Sequence, residues 1–516
     1  MHRSSQRITN RNTILFMKYQ TLLTKNLFVF AFLLLCSIVV YSFAFSADYL
    51  YLDEAFQLWH RSEDVNFTMF ANQGRLPSGI LAQKLWKAAD TIAAVKYIRV
   101  FTLMGWTLTS GILFCLSKKW VRHAGLDQRL PFLLAVFCLC SNYVAIYIGW
   151  SNFQTFPAFI AGLFAGHLLW QTVTRIPGVS NAQLYLKASL ATLLGVTSLS
   201  FYQVCFGIFL LPFLLSWIGA RTTKTQKQTV TAVIVYLLTY GVYFLFFKFY
   251  LSILDIPASD RTSITFNPLK NIAFFFSTPF SQSWNLNLLQ DAHSVPSQLF
   301  PFVLFGIWLF LFIKRSPKTE RWQGVINLVL IFGLLFLSYL PAIIAKENFS
   351  SYRTMVALNT SVFVLFISYL FLQINREIIR DILATILIVS LVIIGYWNYN
   401  TNFAKPLSKE FNAISDLPIF RTGSKDTIIM IRPDLQLFKR LYGISQFKDE
   451  FGIPSTYRDW TPEPLIRQLI AEHQSQERAE KVVVYHFTDV KAYQDSLGNT
   501  VINPEIIDVN ELLKKK

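Results

Sequence analysis

Charge is scarce in this sequence. Only 15% of its 516 residues are Asp, Glu, Lys or Arg, and 53% are hydrophobic. A soluble protein carries nearer ~25% charged residues. The shortage excludes a disordered, collagen-like or ordinary soluble chain. Cysteine is sparse too. Cys36, Cys115, Cys138, Cys140 and Cys205 all fall in apolar segments. Cys138 and Cys140 have no second pair to complete a zinc site, so the five read as small buried hydrophobes. No Gly-x4-Gly-Lys-Ser/Thr motif occurs, which argues against a nucleotide-driven pump. There is no internal repeat, and the only low-complexity tract is Lys514-Lys515-Lys516.

Acidic charge is the scarcer sign, with 30 Asp and Glu against 47 Lys and Arg. Residues 399–516 hold 16 of each sign, so the whole excess of +17 lies in the first 398 residues. There the basic residues sit in short loops between apolar runs. That is the pattern of cytoplasmic loops in a membrane protein, not of a nucleic-acid surface.

The first apolar run, Leu27 to Phe45, is long enough to span about 30 Å of hydrocarbon. It follows a basic head containing Arg3, Arg7, Arg11, Lys18 and Lys25. A signal peptide has a shorter core, so an uncleaved anchor is expected. Further spans are expected near 98–117, 131–149, 156–174, 186–202, 204–220, 229–250, 298–313, 323–344, 354–373 and 382–398, about eleven in all. Alternate loops are basic: the head, 118–122, 221–227, 314–321 and 376–380. These should be cytoplasmic. The other set, 46–97, 151–155, a tight turn near 202, 251–297 and 345–353, should face outside, as should the tail after Trp397. Trp86, Trp120, Trp150, Trp284, Trp322 and Trp397 fall near span ends, where an aromatic belt is expected.

The expected fold is therefore an α-helical polytopic membrane protein in three parts. These are a basic cytoplasmic N-terminus (1–26), a transmembrane domain (27–398) and a small extracytoplasmic α/β domain (399–516). In the last, 427–431 and 482–487 read as strands and 434–443 and 462–474 as helices.

The expected spans hold few ionisable residues, and polar residues gather in the outward loops. A reaction at the outer surface fits this better than an ion path. The loop after the first span reads Asp53-Glu54-Ala55-Phe56-Gln57-Leu58-Trp59. Two acids among aromatics are candidates for a general base, because partial desolvation raises a carboxyl pKa. The plainer reading is an acid pair solvated at the membrane edge. The same loop continues Gly74-Arg75-Leu76-Pro77. This sets an arginine on a constrained turn, suited to gripping phosphate or to touching lipid headgroups.

An acidic pair after the first span, followed by an outer loop with a Gly-Arg-Leu-Pro segment, resembles the membrane glycosyltransferases of the GT-C superfamily. It resembles most the GtrII-type glucosyltransferases of O-antigen. Ser200-Phe201-Tyr202-Gln203 is similar to that family's Tyr-Gln at a span boundary. Ser351-Tyr352-Arg353-Thr354-Met355 is similar to its arginine loop before a late span. Asp53-Glu54 departs from the Asp-Asp expected of GtrII, and Asp-Glu-Ala also resembles the protein mannosyltransferase and aminoarabinose transferase branch.

The resemblance implies a bacterial inner-membrane enzyme. It would move a hexose, glucose in the first instance, from a polyprenyl-phosphate sugar to a surface glycan such as O-antigen, with inversion. It implies Asp53 or Glu54 as base and Arg75 and Arg353 at the leaving phosphate. Tyr202 and Gln203 would bind sugar hydroxyls, and Trp59 would be a stacking surface. The 251–297 loop, with Asp260, Arg261, Lys270, Trp284, Asp291 and His293, would cover the donor or guide the acceptor. No ligand spacing requires a metal, although a carboxylate pair can hold a divalent ion. The competing expectations are a flippase for lipid-linked glycans and an O-antigen polymerase or ligase.

Overall fold

A computed structural model describes residues 26–515 apart from 175–180, 265–266, 292, 316–320, 424, 445–449 and 497–503. The basic head lies outside the described residues. Eight of the described helices are long and apolar enough to cross a membrane: Ile92–Ala124, Leu130–Gly149, Thr155–Val173, Ala182–Phe201, Thr223–Leu254, Val295–Arg315, Val356–Gln373 and Glu377–Ser415. Three shorter apolar helices, Asn26–Val40, Gln203–Gly219 and Trp322–Ser338, fall where the other three spans were expected.

Interruptions in these helices are satisfied by buried asparagines. The first helix stops at Val40, and the Asn400 side chain donates to the Val40 carbonyl at 2.8 Å. The same side chain accepts from the Phe43 amide at 3.2 Å, where helix resumes. A second break separates Leu130–Leu139 from Asn142–Gly149. There Asn287 donates to the carbonyls of Phe137 and Cys140 at 3.3 and 3.4 Å. Asn398 ties the two together, donating to Asn142 Oδ1 at 2.6 Å and to the Asn287 carbonyl at 2.8 Å. An unpaired backbone group in an apolar surround costs several kcal/mol. The side chains therefore make the breaks tolerable.

The last long helix does not end at residue 398. It passes through a π-helical stretch, Trp397–Ala404, into Lys405–Ser415. The tail thus hangs from the bundle on continuous helix. It then forms a parallel sheet of β1 (Thr427–Ile431), β2 (Val483–Phe487) and β3 (Glu505–Asp508) in the order β2-β1-β3. Strand β1 is central, and four of its five residues are buried. That explains why its sequence is a nearly unbroken apolar run. Helices Leu435–Tyr442 and Pro462–His473 match the two read from the sequence.

The two sets of loops separate. Residues from 46–97, 151, 203, 259–264, 345–353 and the tail bond to one another at one end. Asp127, Arg129, Arg380 and Asp381 meet at the other, as do Arg221 and Tyr369. The tryptophans depart from the belt. Trp86, Trp120 and Trp284 are fully buried, and Trp150 nearly so. They fill the space between helices, and only Trp322 and Trp397 are exposed as a lipid-facing ring requires.

Candidate functional site

The helix Asp53–Trp59 is preceded by Leu52, a buried residue at φ +47°. A leucine in this region is strained. Ser151 at φ +48° and Asn348 at φ +45° lie in loops of the same end. Strain of this kind persists only where surrounding structure over-determines it.

Successive helix residues point about 100° apart, and the two acids take different fates. Glu54 turns inward and is fully buried. Its Oε2 meets Arg99 Nη2 at 2.7 Å and accepts from the Tyr51 amide at 2.7 Å, while its Oε1 accepts from the Ser151 hydroxyl. Arg99 also donates to the Tyr49 carbonyl at 2.6 Å, and its guanidinium lies 3.6 Å from the Tyr49 ring centroid. This buried, well-bonded pair ties the Asp53–Trp59 helix to the long helix Ile92–Ala124. Asp53 is recessed but reached by solvent. Its Oδ1 accepts a hydrogen bond from the Trp460 indole at 2.9 Å. Burial pushes its carboxyl above the usual value of 3.8, opposed by Arg353, the Trp460 bond, Arg261 and Arg458.

Arg75 is fixed by the turn before it. Gly74 sits at φ +84°, and a Cβ there would lie 2.1 Å from the Tyr243 hydroxyl. Only glycine fits. The Tyr243 hydroxyl donates to the Gly74 carbonyl at 3.1 Å. Gln203 accepts from Arg75 Nε at 3.0 Å and donates to the Gln73 carbonyl at 2.8 Å and the Tyr243 hydroxyl at 2.7 Å. The Arg75 guanidinium lies 4.6 Å from the Tyr202 ring centroid. Tyr202 and Gln203 are thus brought to Arg75, and Gln203 spends its polar groups on the protein. Burial pushes the Arg75 guanidinium below its usual pKa; Tyr202 and Tyr243 oppose this, and Arg353 and Arg261 add to it.

Arg353 lies 4.5 Å from the Trp150 ring centroid, and its Nε pairs with Glu450 Oε1 at 2.9 Å. Glu450 also accepts from the Ser351 hydroxyl at 3.1 Å, and its carbonyl accepts from Tyr51 at 2.8 Å. Arg261 arrives from the 251–297 loop. That loop bonds to the Asn72 carbonyl through Ser259 and to Lys346 through Ser263. Arg458 comes from the tail. The structure therefore brings Asp53, Arg75, Arg353, Tyr202 and Gln203 together and adds Arg261 and Arg458. Trp59 stands apart. It faces the tail helix Pro462–His473, with the Arg467 guanidinium 6.0 Å from its ring centroid.

Sequence reasoning gave no role to Trp460, Arg458, Glu450, Tyr243, Arg99 or Ser151. No local pattern marks them, since each reaches the site from a remote segment. His293 has an Asp291 neighbour, its amide donating to that side chain at 2.9 Å. Among the described residues no group of three His, Cys, Asp or Glu is placed to hold a metal.

The geometry provides one solvent-reached carboxylate within electrostatic reach of Arg261, Arg353 and Arg458, with Arg75 alongside. Such a site can take a proton from an incoming hydroxyl and hold an anion beside it. Compared with protein-family models, curated proteins and solved structures, the chain matches none. The fold by itself defines a helical protein with helices apolar and long enough to cross a membrane.

Proposed function

We propose that the chain is an integral-membrane glycosyltransferase. It moves a hexose, glucose in the first instance, from a polyprenyl-phosphate sugar to a surface glycan such as O-antigen. The observation that carries this reading is Asp53, a solvent-reached carboxylate facing Arg353, Arg261 and Arg458, with Arg75 joined to the group through Tyr202, 4.6 Å from its ring centroid. The acceptor hydroxyl attacks the anomeric carbon and gives its proton to Asp53. The new C–O bond forms as the bond to the lipid phosphate oxygen breaks. The charge that develops on the departing phosphate is met by arginines already in place, which need no reorganisation. Single-sided attack inverts the anomeric configuration.

Asp53 is the base of choice over Glu54 because the Glu54 oxygens are committed to Arg99, Tyr51 and Ser151. Tyr202 and Gln203 hold Arg75, and Tyr202 keeps its hydroxyl for the donor sugar. The basic loops of the opposite end favour a cytoplasmic position for that end. The site and tail then lie on the outer face of a bacterial inner membrane. The resemblance of the Asp53-Glu54, Gly74-Arg75, Tyr202-Gln203 and Arg353 segments to GT-C enzymes supports the same reading.

The test is the mass of the host's surface-glycan repeat with the gene deleted, restored, and restored as Asp53→Asn. Restoration should add one hexose per repeat, and the variant, inserted normally, should not. If chain length collapses while repeat mass is unchanged, the chain is a polymerase or flippase instead.

A further inference from the structure

The tail sends one aromatic residue to the reacting carboxylate. Trp460 is 44% exposed, yet its indole N–H is fixed on Asp53 Oδ1 at 2.9 Å. An exposed tryptophan ring whose polar edge is already bonded offers an apolar face that water covers poorly. The exposure is built into the fold. The segment just before it is tied down by Glu410, fully buried, which accepts from the Ser455 amide at 2.6 Å and from the Thr456 amide and hydroxyl at 3.1 and 2.6 Å. Arg432 donates to the Tyr457 carbonyl at 3.0 Å, and the Thr461 amide to the Arg458 carbonyl at 3.2 Å. Bonds on both sides thus hold Trp460 in place. A second exposed ring, Phe349 at 46%, lies 5.6 Å from the Arg353 guanidinium carbon. The site mouth therefore carries two exposed aromatic rings, one near the base and one near a phosphate-binding arginine.

We infer that Trp460 is the platform on which the acceptor sugar stacks, so that the C-terminal domain supplies the acceptor subsite. This rests on the glycosyl-transfer reading above. A pyranose has an apolar C–H face and a polar rim. Laid on the Trp460 ring, its rim hydroxyls come beside Asp53, which receives the proton of the attacking one. The donor lies on the arginine side. Trp460 is a positioning residue and forms no bond to the reacting atoms. Trp59 meets Arg467 of the tail, 6.0 Å from its ring centroid, whereas Trp460 is the ring bonded to Asp53.

The test uses the full chain in nanodiscs. The donor is undecaprenyl-phosphate-linked radiolabelled glucose, and the acceptor is surface polysaccharide from the deletion strain. Trp460→Ala should raise the acceptor KM roughly tenfold or more while the donor KM stays within about twofold. Trp460→Phe keeps a stacking ring and should restore most of the acceptor KM. It loses the bond to Asp53, so the acid limb of its pH–rate profile should move to higher pH. Binding of the same polysaccharide, measured without donor, should weaken in Trp460→Ala and persist in Asp53→Asn. An unchanged acceptor KM, or a rise confined to the donor KM, overturns the inference. If binding falls in Trp460→Ala but the native chain transfers no sugar, the platform stands and the transferase reading fails. If Asp53→Asn abolishes transfer while Trp460→Ala binds polysaccharide normally, the reverse holds.

Discussion

Both ends of the bundle carry clusters of arginine and aspartate, and they are wired differently. At one end Arg380 meets Asp127 at 2.6 Å, and Arg129 meets Asp381 at 2.5 Å and Asp127 at 3.1 Å. Two acids match two arginines. Burial alone would raise the Asp127 carboxyl, but the Arg129 amide and the Arg380 and Arg129 side chains outweigh it and hold the group below its usual range. At the other end Asp53 faces Arg353, Arg261 and Arg458, Arg75 stands nearby against Tyr202, and Glu450 pairs with Arg353. The Asp53 carboxyl stands above its usual value. A matched cluster clips loops together and is finished when it forms. An unmatched one keeps positive potential available for an anion that arrives later.

The comparison sharpens when one group at a time is changed. The largest effect on folding is expected from Glu54, which belongs to the site end but is wired like the clip. Glu54→Gln leaves Arg99 buried without its counter-charge. It should cost about 3–5 kcal/mol of stability, read as lost yield and a lower melting temperature in detergent. Arg75→Lys keeps the charge but loses the planar fork bonded to Gln203. It should slow transfer by roughly 10²-fold with melting little changed.

The pH dependence follows from the sign at Asp53. Its folded pKa is raised, so the base is progressively protonated as pH falls through that raised value. The acid limb of kcat/KM should therefore lie above the ordinary 3.8. Above the same window the ionised carboxylate costs stability. Asp53→Asn should then melt no lower than the native chain at neutral pH, with any gain shrinking in acid. The smallest effect is expected at the opposite end. Asp381→Asn, which removes a carboxylate 65% exposed, should lower the melting temperature by about 3 °C or less and leave transfer unchanged.

Hydropathy made the helices legible, because the apolar runs are long and charges punctuate them. In the tail β1 was legible because it is buried on both faces and reads as one apolar run, whereas β3, with only four residues and acids at both ends, was not read. The breaks at Val40 and Cys140 were not legible. They depend on Asn287, Asn398 and Asn400, which meet the broken helices only in three dimensions. Asp53 and Arg75 stood out because they sit beside a span boundary and on a turn, and Tyr202, Gln203 and Arg353 through the resemblance to GtrII-type segments. Arg458 and Trp460 carry no such mark, since their approach to Asp53 spans about four hundred residues of chain. Nor did the sequence separate Asp53 from Glu54. Which of two adjacent acids turns inward is decided by the strained Leu52 and by Arg99, which waits in the core.

The most direct measurement is the rate of sugar transfer by purified Asp53→Asn protein with the native melting temperature, at saturating donor and acceptor. The account predicts a loss of about 10²–10⁴-fold with polysaccharide binding intact. Transfer at the native rate would contradict it, because the proton would then go to a group other than Asp53.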